Sequence, residues 1–402
     1  MAPSIAAHDE GRASDRRPLL TTMTSSRALY LNVLVLAASL TTTFPMNMLL
    51  ALVDHIAQTF SPAIYETVVG LLYVTALPVA YAQLSFDRGF DQRYESRASF
   101  VFRLGLATAV LIGASAGLAR LQVEAVLLSL AFVIGCATWI ANGTLSAVAG
   151  LLPSEAFVWQ GLGAQAASLA AYGAIALVER VNWNAAWLAF SFVPALGLAA
   201  GLALVRDPHV EAQMEAKDVR TAASAPAAER PRELDDAITS YSRILAAAML
   251  LSVVVAGSFS FFAGTYRGLA LSTLAYLAFN GGNIVSRFVV AAADRALAPP
   301  SARALDAVSV ARAGATALVF AGAFGHVAWL ESGPSLVALF FAYALAGGML
   351  ATWAFKLTKE ACGDNQDFAV EASRTNTFAQ NLGLSIGGAI SCALAVGFGA
   401  FR

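Results

Sequence analysis

The sequence predicts an all-α fold, a polytopic membrane bundle of eleven helices arranged as six plus five, and three observations carry that prediction. Hydrophobic residues make up 58% of the 402 and charged residues only 13%, against about a quarter charged in a soluble domain. Apolar runs long enough to cross about 30 Å of hydrocarbon recur along the whole chain. The Lys and Arg residues are distributed between the ends of those runs as one direction of threading requires.

The first six spans fall near 28–52, 66–85, 99–119, 123–151, 156–178 and 186–205. A polar stretch from Arg206 to Ser242 follows, rich in Ala, Glu, Arg, Asp and Pro and without a sustained hydrophobic period, which reads as a mobile linker. Five more spans lie near 243–264, 269–293, 305–329, 335–355 and 375–400. The expected organisation is therefore a cytoplasmic tail over 1–27, a six-helix bundle over 28–205, a cytoplasmic linker over 206–242 and a five-helix bundle over 243–402. The tail has no apolar stretch ending in a small-residue cleavage site, so it is read as a tail and not as a removed signal peptide. With the N-terminus cytoplasmic, only Arg120, Arg180, Arg267 and Arg402 of the 25 Lys and Arg fall on the outer side. One missed span would invert everything after it, so count and direction support each other.

A net charge of −1 gives no footprint for nucleic acid. Cys136 and Cys392 sit in apolar runs, Cys362 sits in a loop, and the four histidines are scattered singly, so neither a disulfide framework nor a metal site is expected. No cofactor is expected either. An embedded enzyme would need a nucleophile with its base, or a His and carboxylate cluster, at membrane depth, and none is visible. Two helical bundles joined by a central linker are the architecture of alternating access about a midplane site, which favours passage of a small polar solute.

Polar groups inside a span are costly unless paired or wetted, so each is a pathway candidate. The first span carries Thr41, Thr42, Thr43, Phe44, Pro45, Met46 and Asn47. Proline there frees a carbonyl of the preceding turn, and Asn47 is either a site amide or a bond to a neighbouring helix. Between the fourth and fifth spans, small residues from Gly143 to Gly163 read as close packing, with Asn142 the exception. In the eighth span, Asn283 and Arg287 are four apart and share a helix face. Snorkelling of Arg287 to the headgroups is the competing reading. In the last span, Asn376, Gln380, Asn381, Gly383, Gly387 and Gly388 read as packing.

Phe279, Asn280 and Arg287 resemble the Phe-Asn-x-x-Asp-x-x-Gly-Arg signature of the equilibrative nucleoside transporters, with Asn283 in place of the acid and Ser286 in place of the glycine. Pro45, Met46 and Asn47 resemble that family's first-helix Pro-Trp-Asn, and Ala149 to Pro153 with Gln160, Gly161 and Leu162 is similar in identity and spacing. Asn142 stands where the family carries a substrate-binding glutamine. The resemblance, which extends over most of the chain, implies a fold of the major-facilitator kind with a central cavity for a nucleoside or nucleobase. It implies hydrogen bonds from Asn47, Asn142, Asn283 and Arg287 and an apolar wall from Met46. The lost tryptophan removes a stacking surface and the lost acid removes an acceptor for a ribose diol. Battenin-like lysosomal proteins share the layout, which keeps an amine or amino acid cargo, or a non-transporting regulator, in view.

Asp54, Glu66, Glu124, Glu155, Glu179, Asp294 and Glu331 all fall near predicted helix ends, and Asn283 does not titrate, so facilitated diffusion is expected. In the tail, Asp15, Leu19 and Leu20 resemble an acidic dileucine signal, which implies sorting adaptors as partners and an endosomal, lysosomal or vacuolar membrane besides the plasma membrane. Replacing Leu19 and Leu20 by alanine should move a fluorescent fusion to the plasma membrane; an unchanged distribution would remove the signal.

Overall fold

The computed structural model describes residues 25–119, 123–153, 155–178, 188–222, 231–325, 327, 329, 332–363 and 366–399. The sorting residues Asp15, Leu19 and Leu20 lie outside them. Among the described residues the chain is helical almost throughout, as a backbone in hydrocarbon must be to satisfy its own N–H and C=O groups.

Helix α1 is Ser25–Ala51, followed by the short α2 (Val53–Thr59), α3 (Pro62–Val74) and α4 (Ala76–Arg93). Then come α5 (Ser96–Leu118), α6 (Glu124–Ala149), α7 (Glu155–Val178) and α8 (Val193–Val205). After α9 (Pro208–Ala222), the second half consists of α10 (Arg232–Gly257), α11 (Leu271–Ala296), α12 (Ala302–Gly325), α13 (Gly333–Ala361) and α14 (Gln366–Gly399). A 3-10 turn (Ser258–Phe261) and a two-residue hairpin, β1 (Thr265–Tyr266) with β2 (Leu269–Ala270), connect α10 to α11. The hairpin turn places Arg267 at φ 52 and Gly268 at φ 83, the left-handed pair that two-residue hairpins favour.

Nine described helices are long and apolar enough to cross a bilayer. The two other predicted spans coincide with α7 and α11, helices of 24 and 26 residues. The chain is an integral multi-pass membrane protein. Its face where α1 begins is called the near face below, and the face where α3 begins the far face.

The expected linker over 206–242 is corrected in two places. Pro208–Ala222 is a helix, and α10 begins at Arg232, a good ten residues before the predicted span. Helix α9 holds together by being tied down. Val210 and Met214 are buried against α5, α6 and α8 residues, Arg27 bonds Asp207 at 2.9 Å, and Arg97 pairs with Glu211 while Ser96 bonds Asp218. Tertiary anchoring of this kind overrides a weak local pattern.

Within the first half α1 packs on α7 and α8, and α5 on α6; within the second, α11 packs on α13 and α10 on α14. Glycines set these distances. A Cβ on Gly282 would meet the Phe341 carbonyl, and one on Gly387 the Leu250 carbonyl at 2.8 Å. The glycines and amides of the last span do pack, as expected, with Ser242 bonding Asn376 at 2.8 Å. Gly282→Leu should therefore lower thermal stability in detergent by the ~1–3 kcal/mol typical of overpacking. Gly314→Leu, where a Cβ meets nothing within 4 Å, should leave the melting temperature unchanged.

Candidate functional site

The polar residues singled out in the sequence gather along one stripe of α7. Gln160, Gly161, Ala164 and Ser168 recur at helical spacing, so they form one line facing α1 on one side and α11 on the other. Gly163 lets the α1 backbone come close, because a Cβ there would collide with the Leu36 carbonyl.

At the near end of the stripe, the Gln160 amide donates to Asn142 Oδ1 at 2.9 Å and to Ser146 at 2.8 Å. The Gln160 carbonyl accepts from Ser39 at 2.8 Å. Asn142 is thereby held in the site through Gln160, a residue the sequence reading assigned to packing. The residue beside it, Gly161, lies against Arg287: a Cβ at that position would sit 3.0 Å from the guanidinium carbon. Arg287 also bonds Thr352 of α13. Its Nε is buried and has no partner, and no carboxylate pairs with it among the described residues. The guanidinium thus lies between Gly161 of α7 and Thr352 of α13.

One turn from Arg287, Asn283 is 8% exposed and its Oδ1 lies 3.2 Å from where a Gly348 Cβ would be. Its side-chain amide makes no hydrogen bond among the described residues; its carbonyl accepts from Ser286 at 2.6 Å. Arg287, Asn283, Asn142 and Gln160 therefore form one cluster of donors and acceptors between α6, α7, α11 and α13.

Asn47 belongs to a second cluster further along the stripe. Its amide donates to the Thr43 carbonyl at 3.0 Å and to Ala164 at 3.4 Å, and its Oδ1 accepts from Ser168 at 2.6 Å. Tyr276 of α11 donates to the Ser168 carbonyl at 3.1 Å, joining the halves there. Every polar atom of Asn47 is occupied, so it fastens α1 to α7. Met46 is buried in the main apolar core with Phe44. The structure does not bring Met46 to the Arg287 cluster.

The halves also meet at both faces. On the near side, Lys359 donates to the Leu152 carbonyl at 2.9 Å and Phe157 stacks on Phe355 with centroids 5.6 Å apart. A small cleft lies there, lined by Phe157, Phe355, Thr358, Lys359, Ser373 and Asn376. On the far side α3 lies on α14, backbone against backbone: a Cβ on Gly70 would meet the Gly388 carbonyl at 2.8 Å. Ser260 bonds the Pro62 carbonyl at 3.1 Å. The halves thus touch near both faces, and the polar cluster lies between those contacts.

Two charged residues depart from expectation. Glu66, taken as a helix-end acid, is 0% exposed. Arg312, counted among the near-face charges, is 2% exposed at the middle of α12. Its Nε, Nη1 and Nη2 donate to the Tyr343 and Ala248 carbonyls and to Ser252, and its guanidinium lies 4.2 Å from the Tyr343 ring centroid. Among the described residues no group of His, Cys, Asp and Glu could hold a metal ion.

Two solved structures share this architecture over nearly its full length. One is the major facilitator superfamily proton:xylose symporter XylE bound to 6-bromo-6-deoxy-D-glucose, with a TM-score of 0.57 at 10% identity, covering 94% of this chain and 96% of that one. The other is a POT family transporter in complex with a thioalcohol-conjugated peptide, with a TM-score of 0.54 at 12% identity, covering 93% and 96%. The fold is that of the major facilitator superfamily. The major-facilitator expectation is met. No protein-family model matches the sequence. No curated protein matches it either.

In a cysteine-free background with Ser373→Cys, Lys359→Met should speed labelling by a membrane-impermeant maleimide from the near face. Loss of one charge-assisted hydrogen bond, about 1.5 kcal/mol or more, corresponds to about tenfold in opening. Equal labelling rates would show that Lys359 does not hold the near seam.

Proposed function

We propose that this chain is a transporter that carries a small polar solute across the membrane by alternating access, and that the solute is a nucleoside or nucleobase. The observation that supports the reading most is the Arg287 guanidinium, held between the two halves with no carboxylate beside it and with a buried Nε that has no partner. A buried donor of this kind is expensive unless a ligand or water completes it. A base offers carbonyl oxygens and ring nitrogens as acceptors for it, and a ribose offers hydroxyls for Asn283. The nucleoside assignment rests on the sequence resemblance in α1, α6, α7 and α11.

Solute bound between α7 and α11 touches both halves, so its binding energy depends on how they are apposed. Opening of either seam then exposes it to one side, and differential affinity between states moves it. The reading includes eleven spans, a cytoplasmic N-terminus, and residence in the plasma membrane or an endosomal, lysosomal or vacuolar membrane.

A second reading is favoured by the same guanidinium. An arginine lacking a counter-ion also suits a carboxylate, which would make the cargo an amino acid or related anion. A thermal-shift panel of nucleosides, nucleobases and amino acids separates the two, because only a ligand of the folded state raises the melting temperature.

In reconstituted vesicles, Arg287→Ala should reduce solute uptake at least about tenfold, the loss expected from one charged hydrogen bond, with normal abundance and monodispersity. Gly161→Val, which occupies the guanidinium's place, should do the same, and Asn283→Asp should change the order of preference among solutes. Parental uptake by Arg287→Ala would exclude the guanidinium from the solute path.

A further inference from the structure

Glu66 is the one described acid at membrane depth that the solute site does not use. It lies on the second turn of α3, near the far face, and it is 0% exposed. Both carboxyl oxygens are buried without a hydrogen-bond partner, and so is the hydroxyl of Ser391 on α14. The two groups converge on Gly257 at the end of α10: a Cβ there would lie 2.9 Å from Ser391 Oγ and 3.3 Å from Glu66 Oε1. Glu66 therefore sits where α3 of the first half meets α10 and α14 of the second, inside the far seam.

The surroundings offer nothing to a negative charge. From α14 the ionisable group that faces Glu66 is the thiol of Cys392. Helix α10 and the 3-10 turn bring Gly257, Ser258 and Ser260, and the charged residues of α10 lie at its opposite end. Helix α2 carries Asp54 and His55, neither of which bonds Glu66; Asp54 accepts from Gln58 at 2.8 Å. On α3 itself Tyr65 donates to the Leu50 carbonyl at 3.0 Å. No Lys, Arg or His among the described residues pairs with Glu66, and one turn along α3 the backbones of Gly70 and Gly388 are in close contact. A carboxylate enclosed in this way, with no donor bonded to either oxygen, is stable only as the neutral acid.

We infer that Glu66 is a proton-binding site of the far seam: the seam closes over the protonated carboxyl, and opening it to water releases the proton. The inference rests on the alternating-access reading in so far as it makes proton occupancy part of the transport cycle. By linkage, a proton that binds the closed state better than the open one must favour closure, and by the same factor closure must favour protonation. No covalent chemistry is involved. A proton passes from water to one carboxylate oxygen as the helices come together and returns to water as they part.

The test reads the seam directly. Thr59 on α2 and Thr265 on β1 are exposed on the far side of the two halves. Spin labels at Thr59→Cys and Thr265→Cys, in the full chain with Cys136, Cys362 and Cys392 replaced by serine, report their separation in nanodiscs. The open population should rise as pH is raised, by up to about tenfold per pH unit, the limit for one proton. Glu66→Gln should stay closed at every pH. Ser391→Ala, which takes a polar group out of the closed pocket and so favours the neutral acid further, should shift the midpoint to higher pH, and this second variant keeps the test meaningful if Glu66→Gln folds poorly. A native chain whose label separation does not change with pH, a Glu66→Gln chain that still titrates, or a response that follows sodium at fixed pH would each overturn the inference. Uptake measured alongside keeps the two readings apart: a seam that titrates in a chain with no uptake sinks the transport reading and leaves the proton site standing, whereas uptake with a pH-blind seam does the reverse.

Discussion

The unpaired guanidinium of Arg287 governs how the middle of this protein is put together. A charge in the low-dielectric interior demands donors and acceptors around it and an aperture small enough to exclude lipid. Gly161 supplies the aperture by having no side chain, and Thr352 supplies one acceptor. The neighbouring Gln160, tied to Asn142, Ser146 and Ser39, fixes the helix that Arg287 leans on. Placement of α7 between α1 and α11 follows, since that helix must serve both the Gln160 network and the guanidinium. Move α7 by half a turn and both lose their partners.

Arg312 shows what the same side chain looks like when it is structural. Three of its nitrogens are bonded to backbone carbonyls and a serine inside one half, its flat face is covered by Tyr343, and Gly347 makes room for it. Nothing is left over for a solute. Arg287 differs in spanning two halves and in keeping Nε unsatisfied. The distinction between them lies in satisfaction and not in depth.

That distinction shows which parts of the molecule were legible in the sequence. Long apolar runs and their flanking charges locate helices well, because the bilayer imposes length and composition on each span separately. Asn283 and Arg287 were legible for the same reason, being polar where polarity is costly. The role of Gln160 was not, since it depends on which way α7 is turned toward α6, and one sequence carries no rotational phase between helices. Arg312 was misplaced by the same gap, and the burial of Glu66 at its helix end was hidden by it. Distance from a span's end sets depth, whereas burial is set by neighbours such as α10, α13 and α14 that lie far along the chain. Helix α9 was read as irregular because its order comes from Arg27, Ser96 and Arg97 on other helices.

The contact of α3 with α14 has a mechanical consequence. Gly70, Gly388 and the Val74 backbone meet there, with the Cys392 thiol and the Ser385 hydroxyl set between the helices, so the contact is made by backbone and small side chains. Interlocked leucines would have to unlock by coordinated rotamer changes before sliding. Two glycine-faced backbones can shear past one another with little corrugation in the energy. Such a bearing suits a joint that must move on every cycle, and it leaves the holding of position to a few polar fastenings around its edge.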